Sequence, residues 1–248
     1  MDNVIELENL CVEFPAKRRQ APVVALRGVT LAVQRGTIYG FLGPNGAGKT
    51  TTMHTLLGFI APTSGRVSVL GGQASQREVR RRLGYLSEHP ELYPYLTGRE
   101  LLLCMGQLCG VPQAQLARRA DALLARLGLT GAAQRRLAAY SRGMLQRIGL
   151  AQALINNPDL IILDEPTSGL DPLGRMDFRR IILELRQEGK TIFFSSHELS
   201  EAERVCDHVA ILAAGRIVAQ DKIEALTAPG ESLEQLFVRM VTPQEARP

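Results

Sequence analysis

The chain has 248 residues, of which 45% are hydrophobic and 22% are charged, and its formal net charge is +4. This length fits one large α/β domain or a core with a subdomain, and the composition is ordinary for a globular chain. The basic residues are scattered, with short clusters at 17–19 and 80–82, and they form no coherent stripe of the kind that binds nucleic acid. We therefore interpret these clusters as solvated surface and expect no nucleic-acid partner.

Cysteines and long apolar runs give two further expectations. The four cysteines form no CxxC pair and have no histidines at zinc spacing, which is typical of a reducing compartment. A basic leader followed by an apolar block is missing, and so is any run of 18 apolar residues. We expect no direct insertion into a membrane, so that any role there would come through a partner.

The first ninety residues have the pattern of strands around a glycine-rich turn. Residues 4–14 and 23–33 alternate as strands of an antiparallel sheet, and "TIYGFLG" is typical of a buried strand that runs into the turn. The residues that follow the turn predict a helix. "GRVSVLGG" and "LGYLSE" supply further short strands.

From about residue 90 the pattern becomes helical, with helices predicted at 97–109, 113–128 and 141–155. "NPDLIILDEP" and "KTIFFSSH" then restore buried parallel strands, with a helix after "GLDP", a hairpin turning at Ala214 and Gly215, and an amphipathic helix in "SLEQLFVRM". We predict one domain over 1–230, with an α/β core at about 1–89 and 157–223. A helical subdomain at about 90–156 interrupts this core, and a short helix and tail follow at 231–248.

The glycine-rich turn "GPNGAGKTT" fills the pattern GxxxxGK[ST] of a phosphate-binding loop. Triphosphate oxygens need several inward-facing N–H groups, and only glycine permits the positive φ angles and close approach at low cost. Lys49 should reach the β- and γ-phosphates, and Thr50 should bind Mg²⁺. We expect the whole run to hold the nucleotide: Gly43, Pro44, Asn45, Gly46, Ala47, Gly48, Lys49, Thr50 and Thr51.

Two later strands end in side chains suited to the same chemistry. In "LIILDEP" the apolar residues bury the strand, so Asp164 and Glu165 emerge at its carboxyl end, where open α/β sheets bind ligands. Asp164 suits Mg²⁺, and Glu165 suits the water that attacks the γ-phosphate. His197 closes "TIFFSSH", and a parallel strand would deliver it to the same edge. The alternatives are that the carboxylates cap a helix and that the histidine is structural.

The ordered set "GPNGAGKTT", "YSRGM", "LIILDEP", "SGLD" and "SSH" resembles the nucleotide-binding subunits of ATP-binding cassette (ABC) transporters, over residues 4–225. The resemblance implies a P-loop (RecA-like) core with an N-terminal antiparallel β-subdomain and an inserted helical subdomain. It also implies Mg²⁺-dependent ATP hydrolysis, with Lys49, Glu165 and His197 as catalytic residues and Thr50, Asp164 and Glu88 at the metal. Many members have glutamine at the position of Glu88, which leaves its role open.

The resemblance also implies a site shared between two copies. In the family the "YSRGM" segment contacts ATP held by the opposite subunit, so Ser141 and Gly143 would face the nucleotide of a second copy in a head-to-tail homodimer. Asp171, in "SGLD", would lie where the two subunits sense each other. Phe14 stands where the family places an aromatic that stacks on adenine, and the alternative is a core residue at a strand end.

The implied function is the ATPase subunit that drives a separate integral-membrane permease from the cytoplasmic face of the membrane. In the family, the surface around "EHPELYPYLTGREL" receives a short helix of the permease. "YSRGM", Glu88 and the final helix resemble the ATPases of bacterial exporters. One alternative is a soluble cassette ATPase acting in translation or DNA repair, although its usual tandem cassettes or coiled coils do not occur here. Another is a P-loop kinase or GTPase, which would leave "YSRGM" unexplained.

Overall fold

The computed structural model describes residues 2–15 and 21–241, so the basic cluster at 17–19 lies outside the described residues. Its strands are β1 (Asn3–Phe14), β2 (Val23–Gln34), β3 (Ile38–Leu42), β4 (Ser64–Val69), β5 (Leu83–Leu86), β6 (Leu160–Leu163), β7 (Thr191–Ser196), β8 (His208–Ala213) and β9 (Arg216–Lys222). Its helices are α1 (Lys49–Leu56), α2 (Arg77–Arg80), α3 (Gly98–Leu108), α4 (Gln113–Arg126), α5 (Arg142–Leu154), α6 (Pro172–Gln187), α7 (Leu199–Val205), α8 (Ile223–Leu226) and α9 (Leu233–Val241). Short 3₁₀ turns cover Thr130–Ala132 and Leu137–Ala139.

The larger sheet has six strands in the order β5-β6-β7-β3-β8-β9, and all neighbours are parallel except the β8–β9 hairpin. Every residue of β3, β6 and β7 is buried, as expected for apolar strands covered on both faces. Because parallel strands end at the same edge, the segments after these three strands lie together. The sheet thereby brings the glycine-rich turn, Asp164 and His197 to one edge.

The smaller sheet is antiparallel, in the order β2-β1-β4. Strands β1 and β2 match the predicted pair, and β4 joins them on the other side of β1, a pairing that the sequence alone did not assign. Together with the parallel-rich sheet, this arrangement confirms the predicted α/β fold.

Helices α3, α4 and α5 occupy the stretch between β5 and β6. Helix α3 begins with a capping box, in which Thr97 and Glu100 exchange side-chain to backbone hydrogen bonds. The three helices share a core through buried residues such as Leu101, Leu116 and Ile148. This shared core holds α5 against α3 and α4.

The structure also bears on the expectations for the cysteines and for membrane insertion. All four cysteines are free thiols. Among residues 2–15 and 21–241, every helix is too short or too polar to cross a lipid bilayer.

Candidate nucleotide-binding site

An open cleft of about 430 Å³ lies at the carboxyl edge of the parallel strands. One wall is the start of β2, and the other wall carries acidic and imidazole side chains. The lining residues are Val23, Val24, Ala25, Pro44, Asn45, Gly46, Gly48, Lys49, Thr50, Thr51, Glu88, Glu165 and His197. Most of the predicted nucleotide-binding residues therefore line one cavity, together with five of the six predicted catalytic and metal-binding residues.

Glycine is required at two points of the turn between β3 and α1. Gly48 has a φ of 111° and directly precedes α1, and a Cβ there would press against the carbonyl oxygen of Ala25. A Cβ at Gly43 would collide with the carbonyl oxygen of Leu212 in β8. Backbone therefore packs on backbone at this turn, and the N-terminus of α1 follows it at the cleft, where a helix N-terminus suits phosphate oxygens.

Lys49 lies inside the turn and is only 6% exposed. Its ammonium donates to the carbonyl oxygens of Gly43 (2.7 Å) and Pro44 (3.4 Å). It also forms an ion pair with Oε1 of Glu165 at 3.2 Å. The cation is thus held at the floor of the cleft between the loop and the end of β6.

Glu165 adopts a strained backbone conformation, with a φ of 47°. Its N–H donates to Oγ of Ser195 at 2.9 Å, which fixes the peptide against the neighbouring strand β7. Its Oε2 lies 2.8 Å from Nδ1 of His197 and accepts from the His197 N–H at 3.2 Å. The two carboxylate oxygens therefore have different partners, Lys49 on one side and His197 on the other.

Asp164 is buried behind the cleft and does not line it. Oγ of Ser195 donates to Oδ1 of Asp164 at 2.6 Å. Burial, and secondarily the negative charge of Asp164, raise the pKa of Tyr85 to about 12, so this phenol stays neutral at physiological pH. Asp164 is therefore an oriented carboxylate, one layer below the side chains that face the cavity.

The donor chemistry around the cleft fits Mg²⁺. Hydroxyl and carboxylate oxygens, such as those of Thr50, Asp164 and Glu88, are the ligands that this ion prefers. Within the described residues, no group of three or more histidine, cysteine, aspartate or glutamate side chains converges enough to hold a metal unaided.

Like Asp164, the loop residues Gly43 and Ala47 do not line the cavity, and four further predicted site residues belong to neither the loop nor the end of β6. Ser141 caps α5, accepting from the N–H of Met144 at 3.3 Å, and Gly143 lies in the first turn of that helix. Asp171 caps α6, accepting from the N–H of Gly174 at 2.7 Å. Phe14, at the end of β1, is 39% exposed and pairs in the sheet with Val23, which does line the cavity. Within one chain, these residues do not reach the P-loop cleft.

Sequence reasoning missed Ser195, which connects Asp164 to the backbone of Glu165. Its signal was present in "TIFFSSH", where two serines end a fully buried strand. Contacts around the "SGLD" segment were missed as well. The guanidinium of Arg142 lies against Gly169, and Gln146 donates to the carbonyl oxygen of Pro166 at 3.0 Å.

Comparisons with known proteins agree on one family. A family model described as ABC transporter matches residues 26–168. An uncharacterized ABC transporter ATP-binding protein of Nostoc sp. is 50% identical over 82% of this chain and 62% of its own length. The bacitracin transport ATP-binding protein BcrA of Bacillus licheniformis is 44% identical over 77% of this chain and 63% of its own. The chain thus spans less than two thirds of either protein.

Two full-length matches complete the comparison. The lantibiotic transport ATP-binding protein SrtF of Streptococcus pyogenes is 34% identical over 98% of this chain and 100% of its own length. A solved structure titled as the ATP binding subunit of an ABC transporter superposes with a TM-score of 0.86 at 32% identity, covering 96% of this chain and 99% of that one.

Proposed function

Since this chain belongs to the ABC transporter family of ATP-binding proteins, we propose that it binds and hydrolyses ATP to drive a separate membrane permease. The observation that carries the proposal is the convergence of Lys49, Glu165 and His197 in one open cleft beside a glycine-rich turn. This set supplies a cation for phosphate, a carboxylate for water and an imidazole at the same edge.

The mechanism begins with an exchange of partners at Lys49. Phosphate oxygens at the turn compete for the ammonium that Glu165 Oε1 now binds at 3.2 Å. Oε1 of Glu165 is then free to accept a hydrogen bond from the attacking water, while Ser195 holds the backbone of Glu165. Thr50 and Asp164 would hold Mg²⁺, whose charge would offset that of the phosphates.

The proposed active form is a head-to-tail dimer. Ser141, Gly143 and Asp171 lie outside the cleft of their own chain, so they are free to serve the cleft of a second copy. Beside Asp171, Leu173 is 73% exposed and Met176 is 59% exposed. Apolar side chains at this position favour burial against another protein surface.

The proposed docking face for the permease is a second cleft of about 510 Å³ between α1 and the helical layer. Phe59 in this cleft is 65% exposed, and the nearby Tyr93 and Tyr95 are 50% and 64% exposed. Exposed aromatic side chains of this kind are typical of protein interfaces. We place the subunit at the cytoplasmic face of the membrane, on an exporter, because relatives are named for bacitracin and lantibiotic transport and for Nod factor export.

The test uses Glu165→Gln, which removes the water-activating charge while keeping the side-chain shape. With Mg²⁺ and ATP, this variant should retain nucleotide and shift from monomer to dimer in size-exclusion chromatography with light scattering. Lys49→Ala is the control and should bind no ATP. A Glu165→Gln protein that stays monomeric with undiminished turnover would contradict the assignment.

The permease is tested separately, by pull-down of the tagged chain from detergent-solubilised membranes. Recovery of a protein with several membrane spans supports transport. Recovery of ribosomes or DNA instead would indicate a soluble cassette ATPase of translation or repair.

A further inference from the structure

The segment Ser168–Asp171, here called the SGLD loop, joins β6 to α6 and is held from the helical layer. Arg142 at the start of α5 lies against Gly169, and Gln146 holds the preceding carbonyl of Pro166. The first turn of α5 and the SGLD loop are therefore in direct contact within one chain. A displacement of either one would move the other.

On the side of the parallel sheet, Arg175 of α6 binds the same loop. Its Nε donates to the carbonyl oxygen of Leu170 at 3.1 Å, and its Nη1 pairs with Oε2 of Glu198. Both side chains are largely buried, being 33% and 19% exposed. A guanidinium has several donors in a rigid plane, so one side chain can bind two acceptors in fixed relative positions.

Glu198 directly follows His197, and its backbone is hydrogen-bonded to the side chain of Ser196. The N–H of Glu198 donates to Oγ of Ser196 at 2.9 Å, so residues 196–198 form a tight turn after β7. His197 in turn contacts Glu165 Oε2 through both its ring and its N–H. Arg175 is therefore two contacts away from the carboxylate proposed to orient the attacking water.

Helix α6 also forms a second ion pair, which lacks these connections. Arg179, one turn further along α6, binds both oxygens of Glu201 in α7 at 2.9 and 3.0 Å. These side chains are 22% and 13% exposed, so this pair is at least as buried as the first. Among the described residues, it joins α6 to α7 without a hydrogen bond to the SGLD loop or to the turn at His197, which makes it a matched control.

We propose that Arg175 and Glu198 are positioning residues that couple the SGLD loop to His197 and Glu165. The inference rests on the proposed function: a second copy that contacts the SGLD loop would act on the turn at His197 through Arg175. Neither residue needs to touch nucleotide. Loss of the pair should slow turnover without weakening ATP binding.

The experiment compares Arg175→Ala, Glu198→Ala and the double variant with Arg179→Ala and Glu201→Ala. Removing the coupling pair should lower kcat roughly 2- to 30-fold, the range expected for residues that transmit coupling, with KM changed less than about twofold. The double variant should be no slower than the slower single variant, because both remove the same link. Arg179→Ala and Glu201→Ala should lower the melting temperature but keep kcat.

Other outcomes overturn the proposal. Unchanged kcat in Arg175→Ala, or an equal loss of kcat in the Arg179 and Glu201 variants, would show that the pair merely joins two helices. If Arg175→Ala does not fold, Arg175→Lys decides, since it keeps the charge but loses the two-armed geometry, and full activity would refute the coupling. Dimerisation of Glu165→Gln is measured in parallel. If this variant does not dimerise with ATP, both the proposed function and this inference are rejected. If it dimerises but Arg175→Ala has normal turnover, only this inference is rejected.

Discussion

The ion pair between Lys49 and Glu165 predicts an unusual dependence of stability on nucleotide. Both side chains are under a tenth exposed, and their charged atoms lie 3.2 Å apart. Removing one partner of a buried pair costs about 3–5 kcal/mol, because the remaining charge is left without compensation. In Glu165→Gln the ammonium keeps two neutral carbonyl oxygens, at 2.7 and 3.4 Å, so we expect the lower end of this range.

A loss of about 3 kcal/mol in a chain of this size lowers the melting temperature by roughly 6–12 °C. Thermal unfolding at one scan rate measures this shift without nucleotide and with Mg²⁺ and ATP. Phosphates give Lys49 a new anionic partner, so the deficit of Glu165→Gln should shrink when ATP is present. The double variant Lys49→Met/Glu165→Gln removes both charges of the pair, so no buried charge is left without a partner. It should therefore be more stable than Glu165→Gln alone. A single variant as stable as the wild type, or a deficit that ATP leaves unchanged, would refute this account of the cleft.

Two further substitutions test the geometry of the loop and the edge of the sheet. Gly43→Ala would drive a Cβ into the carbonyl oxygen of Leu212, so nucleotide binding measured with a fluorescent ATP analogue should be lost, whereas Gly131→Ala, which has open space, should bind normally. Ser195→Ala removes the donor to Asp164 and the acceptor of the neighbouring N–H, costing about 1–3 kcal/mol in urea unfolding and raising the Mg²⁺ concentration needed for turnover. A Ser195→Ala protein with unchanged urea midpoint and Mg²⁺ dependence would contradict this role.

The edge of the sheet was predictable because local signals agree there. Strands of four to six residues built around apolar runs are fully buried, and each is followed by residues whose side chains or backbone suit phosphate or metal binding. Parallel pairing of β6 with β7 then brings the residues that follow these two strands together, so that Asp164 lies against Ser195 and Glu165 against His197. Topology converts two distant stretches of sequence into one site.

Contacts that depend on tertiary packing were not predictable. Helix α7 has only seven residues, and its polar sequence "LSEAERV" has no strong periodicity. It is stabilised by ion pairs with α6 and by the burial of Leu199 and Ala202, none of which has a local signature. The position of Arg142 on Gly169 is similar, because it depends on how α5 approaches a loop that lies more than twenty residues away in the sequence.

The two oxygens of Glu165 suggest why turnover would require both nucleotide and a second copy. Oε1 is bound by Lys49, which a nucleotide in the turn would draw away, and Oε2 is bound by His197, which is connected through Glu198 and Arg175 to the SGLD loop. ATP alone would free one oxygen and leave the other held by the histidine. A second copy alone would displace the histidine but leave the ion pair with Lys49. Because the backbone at Glu165 is strained, at a cost of about 1–3 kcal/mol, its position depends on these surrounding contacts rather than on local preference. Under the proposed mechanism, the carboxylate is fully available to water only when both contacts have changed, which links hydrolysis to dimer closure.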